Sequence, residues 1–108
     1  MPDPALDATI EQARELFHDL GPLSVRKMFG GAGLYCDGTI FCLIAFEEIF
    51  LKAKGDFAAL LEAEGSSPFV YEGKDKPVAM SYWRLPDSAL DDPDEAVAWA
   101  RKALEALG

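Results

Sequence analysis

The spacing of apolar positions divides the chain into a helix, a run of short strands, a second helix, two more strands and a last helix. Apolar residues three and four apart mark the helices, whereas two-residue alternation marks the strands. The first helix is predicted to begin at Pro4, with Asp3 as its N-cap, and to stop before Gly21-Pro22. Its apolar stripe consists of Leu6, Ile10, Ala13, Phe17 and Leu20.

Two further helices are predicted nearer the C-terminus. The shorter one spans Phe57–Glu64 behind an Asp56 cap. The last helix begins at Pro93 after the N-cap Asp92, and Glu95 completes a motif like a capping box. The residues turned inward are Phe57, Leu60 and Leu61 in the shorter helix and Val97, Ala100, Leu104 and Leu107 in the last one.

Short antiparallel strands are predicted to fill residues 25–53. Asp37-Gly38 lies between two apolar runs and is typical of a type I′ hairpin turn, because both central positions of that turn need positive φ. Glu47-Glu48 is predicted to form a second two-residue turn. The remaining strands are predicted at Val25–Phe29, Phe69–Glu72 and Val78–Leu85.

These elements predict an α+β fold, a two-layer sandwich in which helices cover an antiparallel sheet. The expected order is one helix, three or four strands, one helix, two strands and one helix. The 108 residues are enough for one core, so we expect residues 1–108 to form a single domain.

The two predicted turns assign the strand residues to two faces of the sheet. Because side chains alternate along a strand, Cys36 and Cys42 are expected on opposite faces and unable to form a disulfide. The face expected beneath the helices holds Tyr35, Ile40, Cys42, Ile44, Phe46, Ile49, Leu51 and Ala53. The opposite face holds Leu34, Cys36, Thr39, Phe41, Leu43, Ala45, Phe50 and Lys52.

An apolar cluster on the second face is the candidate interaction surface. Phe41, Leu43 and Phe50 lie there with Lys52 beside them. In a two-layer domain this face meets solvent, and an exposed apolar cluster predicts an interface with a protein partner or a second copy in a homodimer. The alternatives are that the second turn lies one residue away or that a helix or tail covers the face.

Charge narrows the choice of partner. The formal net charge is −9 and the isoelectric point is about 4.4, which disfavours non-specific nucleic-acid binding and suits a basic partner surface. Residues 1–20 and 87–108 are strongly acidic, whereas the middle of the chain is nearly neutral. Direct DNA binding remains an alternative, and it would use Arg26, Lys27, Lys52, Lys54 and Arg84.

No catalytic or metal-binding set is recognisable, so we expect no enzyme activity, no cofactor and no metal. His18 is the single histidine, and Cys36 and Cys42 lack both metal-ligand spacing and a nearby base. Gly30–Gly33 precedes a predicted strand rather than the helix N-terminus that a phosphate site needs, which favours a bulge or tight turn. A third alternative, a small-molecule site, depends on these glycines and on Tyr35, Tyr82 and Trp83.

The chain contains no signal-peptide pattern and no apolar run of membrane length. We therefore expect a cytoplasmic location.

Several short motifs follow one another along nearly the whole chain: V-R-K-M-F-G-G-A-G-L-Y, D-G, I-F-L-K, P-F-V-Y and M-S-Y-W-R-L-P. In this order and spacing they resemble the N-terminal domain of the TfoX/Sxy family of bacterial competence regulators. The most specific positions are Met28, Phe29, Gly30, Gly31, Gly33, Tyr35, Leu51 and Lys52.

The resemblance implies the same two-layer α+β fold and a role in transcription regulation. TfoX-like proteins are thought to act with the cyclic-AMP receptor protein at competence promoters rather than as stand-alone sequence readers. Longer family members carry a C-terminal domain that is expected to be absent here, since the chain ends at Gly108. The resemblance assigns no catalytic residue, so the predicted function is a protein-interaction module of a transcription regulator.

Overall fold

The computed structural model describes residues 4–28, 31–72 and 77–107. The predicted N-cap Asp3, the signature residues Phe29 and Gly30, and residues 73–76 lie outside these ranges. The helices are α1 (Pro4–Leu16), α2 (Asp56–Ala63) and α3 (Pro93–Leu107). The strands are β1 (Leu23–Met28), β2 (Gly31–Cys36), β3 (Thr39–Ala45), β4 (Glu48–Lys52), β5 (Pro68–Glu72) and β6 (Pro77–Arg84).

All six strands belong to one antiparallel sheet, in the order β1-β2-β3-β4-β6-β5. The chain places α1 before the first four strands, α2 between β4 and β5, and α3 last. The predicted α+β fold is thus confirmed, with β1 and β5 at the edges of the described sheet.

One face of the sheet and the three helices enclose a single hydrophobic core. The sheet contributes large side chains that are fully buried, and α3 contributes small ones that let its backbone approach the strands. Burying each Leu, Ile or Phe contributes about 1.5–3 kcal/mol, so this layer dominates the stability of the fold. Its central members are Leu34, Ile44 and Leu51 from the sheet, Ile10, Ala13 and Leu16 from α1, and Ala96, Ala100 and Ala103 from α3.

The start of α3 follows local chemistry. The carboxylate of Asp92 accepts hydrogen bonds from the backbone N–H groups of Asp94 (3.1 Å) and Glu95 (3.3 Å), so the predicted N-cap of α3 is confirmed. The Glu95 carboxylate accepts a hydrogen bond from Ser88 and so ties α3 to the 3-10 turn before it.

The predictions for α2 were partly wrong. Asp56 lies in the first turn of this helix, and Gly55 is the N-cap, with φ of 55°. Phe57 and Leu61 are buried as predicted, but Leu60 is 50% exposed.

Two hairpin turns join β2 to β3 and β3 to β4. Asp37-Gly38 forms the first, with φ of 51° and 84°, as its sequence predicted. The second is Phe46-Glu47, with φ of 52° and 62°, closed by the pair Ala45 and Glu48. It lies one residue earlier than predicted. Such a shift changes each pairing by two positions and therefore leaves every side chain of β4 on its predicted face.

A β-bulge in β3 overturns the predicted faces of β2 and the start of β3. Leu34 pairs with Cys42 and Tyr35 pairs with Ile40, so Phe41 is an extra residue. Phe41 and Cys42 both point into the core, where neither is exposed. The other misassigned residues are Leu34 and Cys36, which lie in the core, Thr39, which pairs with Cys36 on that side, and Tyr35 and Ile40, which lie on the opposite face. Cys36 and Cys42 are both free, buried thiols on the covered face.

Candidate interaction surface

The sheet face opposite the helices forms the candidate site. Strand alternation and cross-strand pairing place Gly33, Leu43, Phe50 and Arg84 on this side. We call it the open face and define it by Tyr35, Ile40, Leu43, Phe50, Lys52 and Tyr82. Phe50 is buried and the other five side chains are half-buried, and none of the six belongs to the core cluster that the helices share.

The open face unites three of the four residues predicted to form the interface. Leu43 and Phe50 are cross-strand partners, and Lys52 lies two residues farther along β4. The placement of Phe41 was wrong: its ring has no exposed surface and packs against Phe17, because the bulge turns it toward the helices. The exposed apolar surface is smaller than predicted, because Phe50 is buried as well as Phe41, and Ile40 and Tyr35 extend it toward β2.

Three aromatic rings in sequential contact extend from the open face to the tip of the β3–β4 hairpin. Phe50 is 3% exposed and meets Phe69 edge-on, with ring centroids 5.0 Å apart. Phe69 in turn stacks on Phe46, with centroids 5.9 Å apart and ring planes 14° from parallel. Phe46, at the tip of the β3–β4 hairpin, is 81% exposed. Sequence reasoning had placed Phe46 beneath the helices, because it put the turn one residue later.

One ion pair lies beside these rings. Arg84 Nη2 is 2.9 Å from Glu48 Oε1, and both side chains are about half-exposed. Ser66 donates a hydrogen bond to the Arg84 carbonyl at 2.6 Å, which fixes the end of β6 to the segment before β5. The guanidinium charge at this end of the open face is thus matched by a carboxylate.

The residues proposed for DNA binding are dispersed. Lys27 lies on the helix side, where its Nζ is 2.9 Å from Asp7 Oδ1 of α1. Arg84 is paired with Glu48. Arg26 is on β1, three strands from Lys52 on β4, and Lys54 lies in the loop beyond it. Two of the cations are therefore neutralised, and the others do not form a continuous strip.

Burial shifts the pKa of three groups. The pKa of Tyr82 is raised by partial burial and, to a smaller extent, by the neighbouring Tyr35 and Cys42. The pKa of Cys42 is strongly raised, because complete burial disfavours the thiolate more than a hydrogen bond from the Phe50 backbone favours it. The pKa of Cys36 is raised by burial and by the charge of Asp37. All three groups are held in their neutral forms at neutral pH.

The described residues contain no group of three or more His, Cys, Asp or Glu side chains that could hold a metal ion. His18 is exposed, and its Nδ1 lies 3.3 Å from the carboxylate of the adjacent Asp19. No helix in the described ranges is long and apolar enough to cross a membrane.

Comparison with known proteins gives the family. A family model for the TfoX N-terminal domain matches residues 15–107. The chain belongs to the TfoX N-terminal domain family. It is 24% identical to the DNA transformation protein TfoX1 of Aliivibrio fischeri over an alignment of 86 residues. The alignment covers 80% of this chain and 41% of that protein. The part of this TfoX N-terminal domain that aligns thus covers less than half of that relative.

One signature residue of this TfoX N-terminal domain has a clear structural role. A Cβ atom on Gly31 would lie 2.3 Å from the backbone oxygen of Ile44, so β2 and β3 approach too closely here for any side chain. Gly31–Gly33 belongs to strand β2 and does not precede a helix N-terminus, which is the arrangement that a phosphate site needs. Tyr35 lies on the open face, while Met28 ends β1.

Proposed function

We propose that this TfoX N-terminal domain is a protein-interaction module in the regulation of competence genes, and that the open face is its docking surface. The family assignment and the name of the Aliivibrio relative support a link with DNA transformation. The proposed partner is a component of the cytoplasmic transcription machinery, with the cyclic-AMP receptor protein as the first candidate because the family resemblance implies it.

The observation that carries this proposal is the composition of the open face. Leu43 and Ile40 supply aliphatic surface, and Tyr35 and Tyr82 supply half-buried aromatic rings. The charged residues on the same side of the sheet are Arg26, Glu48, Lys52 and Arg84. Interfaces are enriched in tyrosine at their centres and depleted in charged residues there. No described helix covers this surface in the chain itself, since the buried residues of all three helices join the core on the other side.

Protein binding is favoured over DNA binding by charge. The chain has a net charge of −9, and two of its candidate DNA contacts, Lys27 and Arg84, already lie 2.9 Å from carboxylates. Neutralising phosphates requires unpaired Lys and Arg side chains on one surface.

The test compares Leu43→Asp with Leu60→Asp. Both variants place a carboxylate at a leucine that is at least partly exposed, one on the open face and one on α2. We expect Leu43→Asp to lose binding to purified cyclic-AMP receptor protein or RNA polymerase and to lower transformation frequency in cells, while Leu60→Asp retains both.

Circular dichroism and thermal unfolding of both variants provide the control for folding. If folded Leu43→Asp supports partner binding and transformation as well as the unaltered protein does, the open face is not the docking surface. Loss in both variants would assign the effect to the added charge rather than to the face.

A further inference from the structure

The β3–β4 hairpin has a turn that its residues do not favour. Phe46 and Glu47 occupy its two central positions with φ of 52° and 62°, in the left-handed region. Two-residue turns of this kind strongly prefer Asn, Asp and Gly, because a branched or bulky side chain crowds the backbone there. Bulky residues held in this backbone conformation occur most often at functional sites, where the surrounding structure maintains the strain.

The geometry of the turn presents the Phe46 ring outward. Of the described large hydrophobic side chains Phe46 is the most exposed, at 81%, followed by Leu60 at 50%. One side of the ring rests on Phe69 at 5.9 Å, and Phe69 is itself held against the buried Phe50. The ring is therefore oriented before any partner arrives, with its second face free for contact.

The two residues that follow Phe46 in the chain are both glutamates. Glu47 is exposed beside it, and the carboxylate of Glu48 neutralises Arg84. Arg84 also lines a shallow groove that contains Glu64 and Asp87, both exposed. A positively charged partner suits both these carboxylates and the ring, because a cation is attracted to the face of an aromatic ring.

We propose that Phe46 is an anchor for a basic segment of a partner protein, which lays an arginine or lysine side chain on the free face of the ring. The carboxylates of Glu47 and Glu64 attract the segment and hold its remaining charges. This inference rests on the proposed function and names the chemistry of its partner. Nucleic acid is disfavoured because these carboxylates repel phosphates, and a second copy is disfavoured because each copy carries a net charge of −9.

The test uses Phe46→Asn with Leu60→Asn as the matched control. Both substitutions remove an exposed apolar side chain without changing charge. Asparagine accepts the left-handed conformation, so Phe46→Asn should unfold at the same or a higher temperature than the unaltered protein. A lower unfolding temperature would assign the ring to stability of the hairpin and overturn the proposal.

Binding is measured with a fluorescent peptide that alternates valine and arginine, by anisotropy at low salt. Loss of a cation–π contact at an exposed ring should weaken peptide binding about two- to fivefold in Phe46→Asn, while Leu60→Asn should bind nearly as well as the unaltered protein. Equal affinity for the two variants would mean that charge alone holds the peptide, and absence of binding by the unaltered protein would equally overturn the proposal.

Two further arms test other occupants. Tighter binding of a single-stranded or duplex oligonucleotide than of the peptide, lost in Phe46→Asn, would replace the basic protein segment by nucleic acid. Self-association in sedimentation that Phe46→Asn abolishes would replace it by a second copy. Either result overturns the proposal.

The outcomes separate this proposal from the proposed function. Partner binding that survives Phe46→Asn but not Leu43→Asp would retain the open face as the docking surface and remove the role of Phe46. Binding of the basic peptide through Phe46, with partner binding unaffected by Leu43→Asp, would retain the role of Phe46 and remove the open face as the docking surface.

Discussion

The ring of Phe17 meets the ring of Phe41 edge-on, with centroids 5.2 Å apart and planes at 87°. Neither ring has exposed surface. Phe17 directly follows α1, and Phe41 is the extra residue of the bulge in β3. The contact therefore joins the end of a helix to the irregular part of the sheet, and the bulge serves to turn a second large side chain toward the helices.

Replacement of Phe41 by alanine should destabilise the fold strongly. A buried phenylalanine lost to a cavity costs about 3–5 kcal/mol, and edge-on aromatic pairs contribute about 0.5–1.5 kcal/mol beyond their buried area. Urea unfolding of Phe41→Ala, Phe17→Ala and the double variant measures both quantities. The control is Leu60→Ala, which should change the free energy of unfolding by far less, since Leu60 is 50% exposed. A loss below about 1 kcal/mol for Phe41→Ala would contradict its place in the core.

Substitution of Gly31 by alanine should disturb the β2–β3 pairing. The new Cβ atom would lie 2.3 Å from the Ile44 oxygen, so the two strands must separate. Overpacking of this kind costs about 1–3 kcal/mol. The comparison is Gly65→Ala, where φ of 88° opposes the substitution but no atom lies within 4 Å.

Chemical unfolding of both glycine variants measures the difference. Hydrogen exchange should also report faster exchange in β2 and β3 for Gly31→Ala alone. Protection equal to that of the unaltered protein would mean that the strands do not approach each other this closely.

Stability should decrease as pH rises above about 9 because of the buried thiol of Cys42. Its pKa is raised well above the ordinary value of 9.0, so between the two values the folded protein binds a proton that the unfolded chain has lost. The contribution of Cys42 to the free energy of unfolding is fully present below the pKa of the unfolded thiol. Above that pKa the contribution falls with rising pH, with a slope approaching about 1.4 kcal/mol per pH unit.

Urea unfolding from about pH 8 to about pH 10 measures this slope, and Cys42→Ala should reduce it. Tyr82, whose pKa is raised above 10.0, contributes in the same direction only near the upper limit, where the unfolded chain begins to lose the tyrosine proton. The raised pKa of Cys36 contributes in the same direction, so Cys36→Ala is the second control. An unchanged slope in Cys42→Ala would contradict the assignment.

Local chemistry in the sequence predicted most elements of the fold. Asp37-Gly38 and Asp92 act through their own backbone or their nearest neighbours, and both were placed correctly. The predicted position of the β3–β4 turn was wrong by one residue. None of Phe46, Glu47 and Glu48 favours positive φ, so the sequence does not mark the central positions of this turn. The structure pairs Ile44 with Ile49 across the two strands, and this register is not marked by local sequence signals.

The candidate surface was predicted in part for a related reason. Leu43, Phe50 and Lys52 were correctly placed on the open face, because shifting the turn by one residue changes the cross-strand pairing by two positions and keeps each side chain on the same face. Phe41 was misplaced because the bulge lies in an uninterrupted apolar run, with no glycine to mark it. The contact of Phe46 with Phe69 depends on β6 lying between β4 and β5, and only the strand order reveals it.

The two edges of the described sheet affect how this molecule can assemble. An unpaired edge strand invites strands from neighbouring molecules, which leads to aggregation. Here β1 carries Arg26 and Lys27 next to each other, and β5 begins with Pro68, which has no N–H to donate. Both features oppose strand addition. Association should therefore occur face-on, through a surface of fixed size, and yield complexes of defined composition rather than open-ended fibres.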